Sequence, residues 1–159
     1  VISSNLIHHI SYPIKHFEEV YRILKPNGLY IIQEVHCSIM CQLVVMLMRH
    51  EGFDFTKDVT SNNIPCNNPD DPWHGNMAIA NLIFDDFERF NEKLNFKFQL
   101  IYNNYSEFLS FLNSGGVIAK TKYFPLNNFF NKLLQKIDKI FVKFPNIFAL
   151  QIGIVLRKK

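Results

Sequence analysis

The sequence predicts an α/β fold, and two observations predict it. The first 35 residues read as strand, helix and strand with short connections, the pattern of a βαβ unit whose crossover should be right-handed. The second half mixes helical and strand-like segments and ends on an apolar strand, Phe148 to Leu156, followed by Arg157-Lys158-Lys159. A length of 159 residues suits a single domain with a sizeable core.

The elements follow in order. Val1 to Ser4 reads as the tail of a buried strand. Ser11-Tyr12-Pro13 marks a helix start, because proline fits the first helical turn. Ile14, Phe17, Val20, Tyr21 and Leu24 then recur at helical spacing, with His16, Glu18, Glu19, Arg22 and Lys25 on the other face. Pro26-Asn27-Gly28 ends the helix, since Pro26 restrains Lys25 and Gly28 accepts positive φ. Leu29 to Val35 is β-rich and nearly continuous in apolar character, as an interior parallel strand would be.

Cys37 to about His50 is expected to be a helix, and Glu51 to His74, with Gly52, Pro65, Pro69 and Pro72, a long loop of the kind that often serves as a lid. Met77 to Phe84 fits a strand or a helix. Asp85 to Lys93 reads as a helix capped by Asp85 or Asp86. Phe96 to Tyr102 alternates like a strand, and Ser106 to Asn113 is a short amphipathic helix broken by Ser114-Gly115-Gly116. Leu126 to Phe144 is a longer helix. This divides the single domain 1–159 into a βαβ core (1–36), an acceptor-side insertion or lid (37–84) and closing helices and strands (85–159).

Composition narrows the function classes. Hydrophobic residues make up 48% and charged residues 19%, which describes a globular chain. A net charge of +3 is too weak to argue for nucleic acid. Cys37, Cys41 and Cys66 lack paired metal spacing, so a reduced, cytoplasmic setting without a zinc site is expected. The longest apolar stretch, Cys37 to Met48, is too short for a membrane span. The chain opens on Val1 with no secretory leader pattern, and directly inside a strand, so it is expected to be a fragment.

One string carries a family resemblance: Ile7-His8-His9, then Tyr12-Pro13, then Glu19-Val20-Tyr21-Arg22-Ile23-Leu24-Lys25-Pro26-Asn27-Gly28, then a strand ending in Glu34. It resembles the second half of class I S-adenosylmethionine-dependent methyltransferases, of the type 11 kind, where a His-His or similar pair follows the fourth strand. Asn27 stands where that family has a first glycine, and asparagine tolerates the left-handed backbone. A second stretch, Asp71 through Trp73-His74-Gly75-Asn76 to Phe84, with Asp86, Phe90 and Ser114-Gly115-Gly116-Val117, looks like a subgroup placed with polysaccharide or cell-envelope biosynthesis.

The resemblance implies a Rossmann-like sheet, six strands parallel and the last antiparallel, of which this chain holds strands four to seven. The glycine-rich first motif and the acidic residue that holds the ribose would precede Val1, so the N-terminal half of the domain is expected to be missing. These 159 residues alone are then expected to bind S-adenosylmethionine weakly or not at all.

The same resemblance, with the rule that ligands of open α/β sheets sit beyond the carboxyl ends of the strands, points to the site residues. Ser4, Asn5, Leu6 and His8 are expected to line the methionine side of the cofactor. His9 and His36 are candidate catalytic bases, because an ordinary imidazole titrates near neutral pH. Neighbouring side chains at a strand end diverge, so only one of His8 and His9 is expected to face the cleft, and no metal is expected there. Glu34, Trp73, His74 and Asn76 are expected to contact a small-molecule or saccharide acceptor, Trp73 by stacking.

The late helix sets Lys132, Lys136, Lys139 and Lys143 against Phe129, Phe130, Leu133, Leu134, Ile137, Ile140, Phe141 and Phe144. A core-facing helix with a solvated lysine face is the expectation, and weak membrane-surface contact the alternative. The rival readings are a catalytically inactive methyltransferase-like interaction module and a peripheral membrane protein. A dinucleotide-binding domain needs G-x-G-x-x-G, which is absent from the sequence. The sequence leaves the oligomeric state open.

Overall fold

The computed structural model describes residues 1–48, 51–71, 73–113 and 123–159. Strands β1 (Ile2–Ser4), β2 (Leu29–Val35), β3 (Phe98–Ser106) and β4 (Gln151–Lys158) form one sheet in the order β1-β2-β4-β3. β1 and β2 are parallel, with Ile2 opposite Ile31 and Ser4 opposite Gln33. β4 runs antiparallel to β2 along its whole length, from Leu29 opposite Arg157 to Val35 opposite Gln151, and antiparallel to β3 on its other side. The α/β class read from the sequence is what the chain adopts.

Helix α1 (Pro13–Ile23) crosses from β1 to β2 and makes the core. Its buried face is Ile14, Phe17 and Val20, followed by Leu24, packed on Tyr30 and Ile32 of β2. Phe17 sits at the centre, with edge contacts to Tyr30, Phe90 and Phe98 at ring separations of 5.7, 5.0 and 6.0 Å. Burying a large aromatic side chain of this kind contributes about 2–3 kcal/mol. The helix stops as expected: Asn27 takes φ 59°, and the Gly28 amide donates to the Lys25 carbonyl at 2.8 Å. A Cβ on Gly28 would stand 2.8 Å from that same carbonyl oxygen, which is why the turn needs glycine.

Alternation along β2 decides the site. Tyr30, Ile32 and Glu34 point to the α1 side and are buried, whereas Leu29, Ile31 and Gln33 face outward. The nearly continuous apolar run therefore does not mean burial on both faces: Ile31 is 41% exposed. Val35 breaks the alternation and joins a second apolar cluster with Cys37, Cys41, Val45, Met77 and Leu150.

The remaining elements are α2 (Ile39–Met48), α3 (Ile79–Phe84), α4 (Phe87–Lys93), α5 (Leu109–Leu112), α6 (Asn128–Phe141) and α7 (Pro145–Phe148). The ambiguous segment before Asp85 is helix α3, and Asp86, not Asp85, caps α4 by accepting from the Arg89 amide. β3 begins two residues later than expected and runs to Ser106, which leaves only one turn of helix at α5. The expected helix 126–144 is α6, shortened at both ends, and Pro145 opens a separate one-turn helix, α7, beyond it. His50, Pro72 and the Ser114-Gly115-Gly116-Val117 segment lie outside the described residues.

Helix α6 corrects an expectation. Its apolar side does not enter the core: Phe129 is 71% exposed, and Phe130, Leu133 and Ile140 are exposed as well. Among the described residues the helix is tied to the segment before it where Asp138 accepts from the amides of Phe108, Leu109 and Ser110. Phe141 adds ring contacts to Phe108 and Phe148. All three cysteines are free and buried, and no described helix is long and apolar enough to cross a membrane.

Candidate functional site

The carboxyl ends of β1 and β2 lie side by side, and the chain segments that leave them are tied together by one side chain. Asn5 turns out of β1 with φ 47°, and a single 3₁₀ turn, Ile7–His9, follows. A turn this short leaves its leading amides without partners inside the turn. Glu34 supplies them from the next strand: its Oε2 accepts from the amides of Leu6 at 2.9 Å and Ile7 at 2.6 Å. Its Oε1 accepts from the Val35 amide at 2.9 Å and takes Nδ1 of His8 at 2.5 Å. Glu34 is fully buried, and both its oxygens are occupied. The expectation that it touches an acceptor is thereby corrected. It orders the turn instead.

His8 is 2% exposed, so it does not line an open cleft as expected of a cofactor contact. On its far side Nε2 lies 3.3 Å from Oε2 of Glu51. Burial alone would lower its pKa, but the hydrogen bonds to Glu34 and Glu51 outweigh burial and push it up to about 9. His8 is thus an imidazolium between two carboxylates at neutral pH. Gly75 makes room for this arrangement, because a Cβ there would stand 2.3 Å from Oε2 of Glu51.

His9 converges on the same place. Its Nε2 lies 3.7 Å from Oε1 of Glu51, and its Nδ1 is 3.4 Å from the His74 carbonyl. The two imidazoles are 4.1 Å apart between centroids. The expected divergence of neighbouring side chains fails because the 3₁₀ turn and the Glu51 carboxylate gather both rings.

The Pro-rich loop is pinned onto the turn rather than lying free. Asn67 Nδ2 and the Asn76 amide both donate to the His8 carbonyl, at 2.8 and 2.9 Å, and the Met77 amide donates to Gly52 at 3.0 Å. Asn76 is buried and its side chain bonds the backbone of Asp54 and Ala78, so it braces the loop rather than facing an acceptor, which corrects that expectation. His74 is exposed and contacts Asn67 and Asn68 within its own loop. Trp73 is 83% exposed, so it does not anchor the loop.

A cavity of about 520 Å³ opens past the end of β2, lined by His36, Ser38, Asn81, Asp85, Asn103 and Tyr105 among others. Pockets that hold small molecules fall in this size range. Asn81 builds one wall: its Oδ1 accepts from the Cys37 amide at 2.8 Å and its Nδ2 contacts Asp85 at 3.3 Å. Burial raises the Asp85 pKa against the opposing pull of Asn81, and burial with the nearby Asp85 charge raises that of Tyr105. His36 is fully buried, with its ring 4.7 Å from that of Tyr105. Neither of its ring nitrogens has a hydrogen-bond partner of normal geometry among the described residues. Burial lowers its pKa to about 4, opposed only in part by the Pro145 backbone, so the ring is neutral at physiological pH.

The structure thus brings Glu34, His8 and His9 into one cluster and sets His36 in a cavity of its own. Sequence reasoning missed Glu51, Asn81, Asp85, Asn103 and Tyr105. The one available signal for Glu51 was an acidic residue beside Gly52 at the head of the long loop; the cavity residues come from separate elements and have no local pattern.

No curated protein matches the chain. Residues 1–32 match the family model described as a methyltransferase domain, which spans β1, the His-His turn, α1 and the start of β2, and which points to methyl transfer as the general chemistry.

Proposed function

We propose that this protein transfers a methyl group from S-adenosylmethionine to a small-molecule or glycan-type acceptor. The observation that carries the reading is the placement of the methyltransferase-like segment: it forms a parallel strand pair, and a polar cavity lies beyond the second strand. The order β1-β2-β4-β3, with the last strand antiparallel, supports reading these strands as four to seven of a methyltransferase sheet.

The residues at the end of β1 fit one part of the cofactor. Asn5 Oδ1 is buried without a hydrogen-bond partner among the described residues, an acceptor suited to an amino group such as that of the methionine moiety. Ser4 and Leu6, both exposed, flank it and would hold the same moiety. When bound, S-adenosylmethionine supplies a methyl group already activated by its sulfonium charge.

The protein's own task is then alignment, exclusion of water and removal of one proton. His36 is the group placed for the last of these, as a weak base whose effect depends on the hydroxyl being aligned against it. It is neutral, it lines the cavity, and its ring nitrogens have no hydrogen-bond partner of normal geometry among the described residues. A hydroxyl donating to one ring nitrogen would satisfy a buried group that otherwise costs about 1–3 kcal/mol. Asp85 and Asn103 offer further hydrogen-bonding groups, which favours an acceptor rich in hydroxyls.

The test uses the intact protein with methyl-labelled S-adenosylmethionine and a panel of hydroxylated and saccharide acceptors. Label transfer is expected, with kcat reduced about 10²–10⁴-fold in His36→Ala. Transfer to none of the panel sinks the assignment, and transfer unchanged in His36→Ala removes His36 from it.

A further inference from the structure

Metal-binding chemistry is the strongest capacity left over once the cavity is set aside. One ring nitrogen each of His8 and His9 and one Glu51 oxygen all lie within 4.8 Å of one another. Donors about 2.1 Å from a tetrahedral ion stand roughly 3.4 Å apart. His8 Nε2 stands 3.3 Å from Oε2 of Glu51 and His9 Nε2 3.7 Å from its Oε1, both close to that spacing.

The other nitrogen of each ring is committed elsewhere. Nδ1 of His8 pairs with Glu34 at 2.5 Å, and Nδ1 of His9 faces the His74 carbonyl at 3.4 Å. An imidazole that ligates a metal through one nitrogen characteristically gives the other to a carboxylate or a backbone carbonyl, which fixes its tautomer and its aim. Both arrangements occur here, side by side. An ion pair between His8 and Glu51 needs neither His9 at the same carboxylate nor the second buttress at His74.

The ligand-bearing segments are also held before any ion arrives. The Asn76 amide and Asn67 side chain fasten the loop to the His8 carbonyl, the Met77 amide binds Gly52 beside Glu51, and Gly75 leaves the space that the Glu51 carboxylate fills. Two imidazoles and one carboxylate suit zinc and its transition-metal neighbours, whereas magnesium prefers an oxygen shell.

We propose that His8, His9 and Glu51 bind one zinc-class divalent ion, with an open coordination position, that displaces the proton on His8 Nε2 into solvent and clamps the loop carrying Glu51 to the turn after β1. The proposal stands apart from the methyl-transfer reading and does not depend on it.

Chelator-treated protein is titrated with zinc chloride by calorimetry, with magnesium chloride as the control, and with cobalt(II) to read the coordination from its visible absorption. The variants are His9→Ala and Glu51→Gln, because His8 is buried and its loss threatens the fold. Circular dichroism checks that both remain folded. One zinc per chain is expected, no heat with magnesium, a cobalt spectrum of low coordination number, and at least a hundredfold loss of zinc affinity in each variant. Absence of zinc binding to the folded wild type, or equal affinity in wild type and both variants, overturns the proposal.

Discussion

His8 and His36 sit at the ends of neighbouring parallel strands, and both are almost sealed from water, yet their charges are opposite. His8 lies between Glu34 and Glu51 and is held protonated, with a pKa of about 9. His36 has an aromatic ring for a neighbour and no hydrogen bond of normal geometry among the described residues, and its pKa falls to about 4. Depth of burial is nearly the same, so burial does not set the protonation state. The number of carboxylates within reach does. One region uses its histidine as a charged brace for the chain, and the other keeps a neutral ring facing a cavity.

The largest way to break the contrast is Glu34→Ala. It strips the His8 brace of its closer carboxylate and leaves the amides of Leu6 and Ile7 without acceptors in a buried place. A loss of about 3–5 kcal/mol is expected, read from urea denaturation. A loss below 1 kcal/mol would mean the turn does not depend on Glu34.

The pH dependence should show both histidines on opposite limbs. An unfolded histidine titrates near 6.5. The folded pKa of His8 is raised, so its contribution is complete below about pH 6.5 and disappears as pH rises through about 9. The folded pKa of His36 is lowered, so stability is complete above about pH 6.5 and falls as pH drops towards about 4. Each limb is worth about 3 kcal/mol by linkage. Denaturation midpoints across this range, with chelator present, measure both. His36→Phe should flatten the acid limb alone, and a profile insensitive to that change would remove His36 as its source.

Gly75→Ala sharpens the comparison at smaller cost. The new methyl would displace the Glu51 carboxylate from His8, a flexible group that can swing away. About 1–2 kcal/mol of destabilisation is expected, with a shallower alkaline limb and an unchanged acid limb. Differential scanning calorimetry at two pH values separates these outcomes.

Much of the β1-α1-β2 unit was legible because its signals are local. Pro13, the stripe from Ile14 to Leu24 and Pro26-Asn27-Gly28 each act within a few residues, and α1, its stop and β2 fall where they indicate. The late helix misled for a physical reason: an amphipathic stripe states that a face is apolar, not what covers it, and α6 leaves Phe129 and Phe130 in the open. The candidate site was legible only in part. The strand-end rule located Glu34, His8 and His36, but the role of each depends on groups far along the chain. Glu51 is 43 residues from His8, and Asn81 reaches the His36 cavity from a helix whose type was ambiguous, with Asp85 at that helix's C-terminal end.

Taken alone, the sequence determined the α/β class, the first strand-helix-strand unit and the end of the sheet at which polar residues gather. Hydrogen-bonding propensity and apolar periodicity operate over one or two turns of chain, and those features need nothing more. Which histidine carries charge, which faces a cavity, and whether two adjacent imidazoles converge were decided by the tertiary structure. These properties depend on distances of a few ångströms between side chains supplied by separate segments, and no spacing along the chain encodes them.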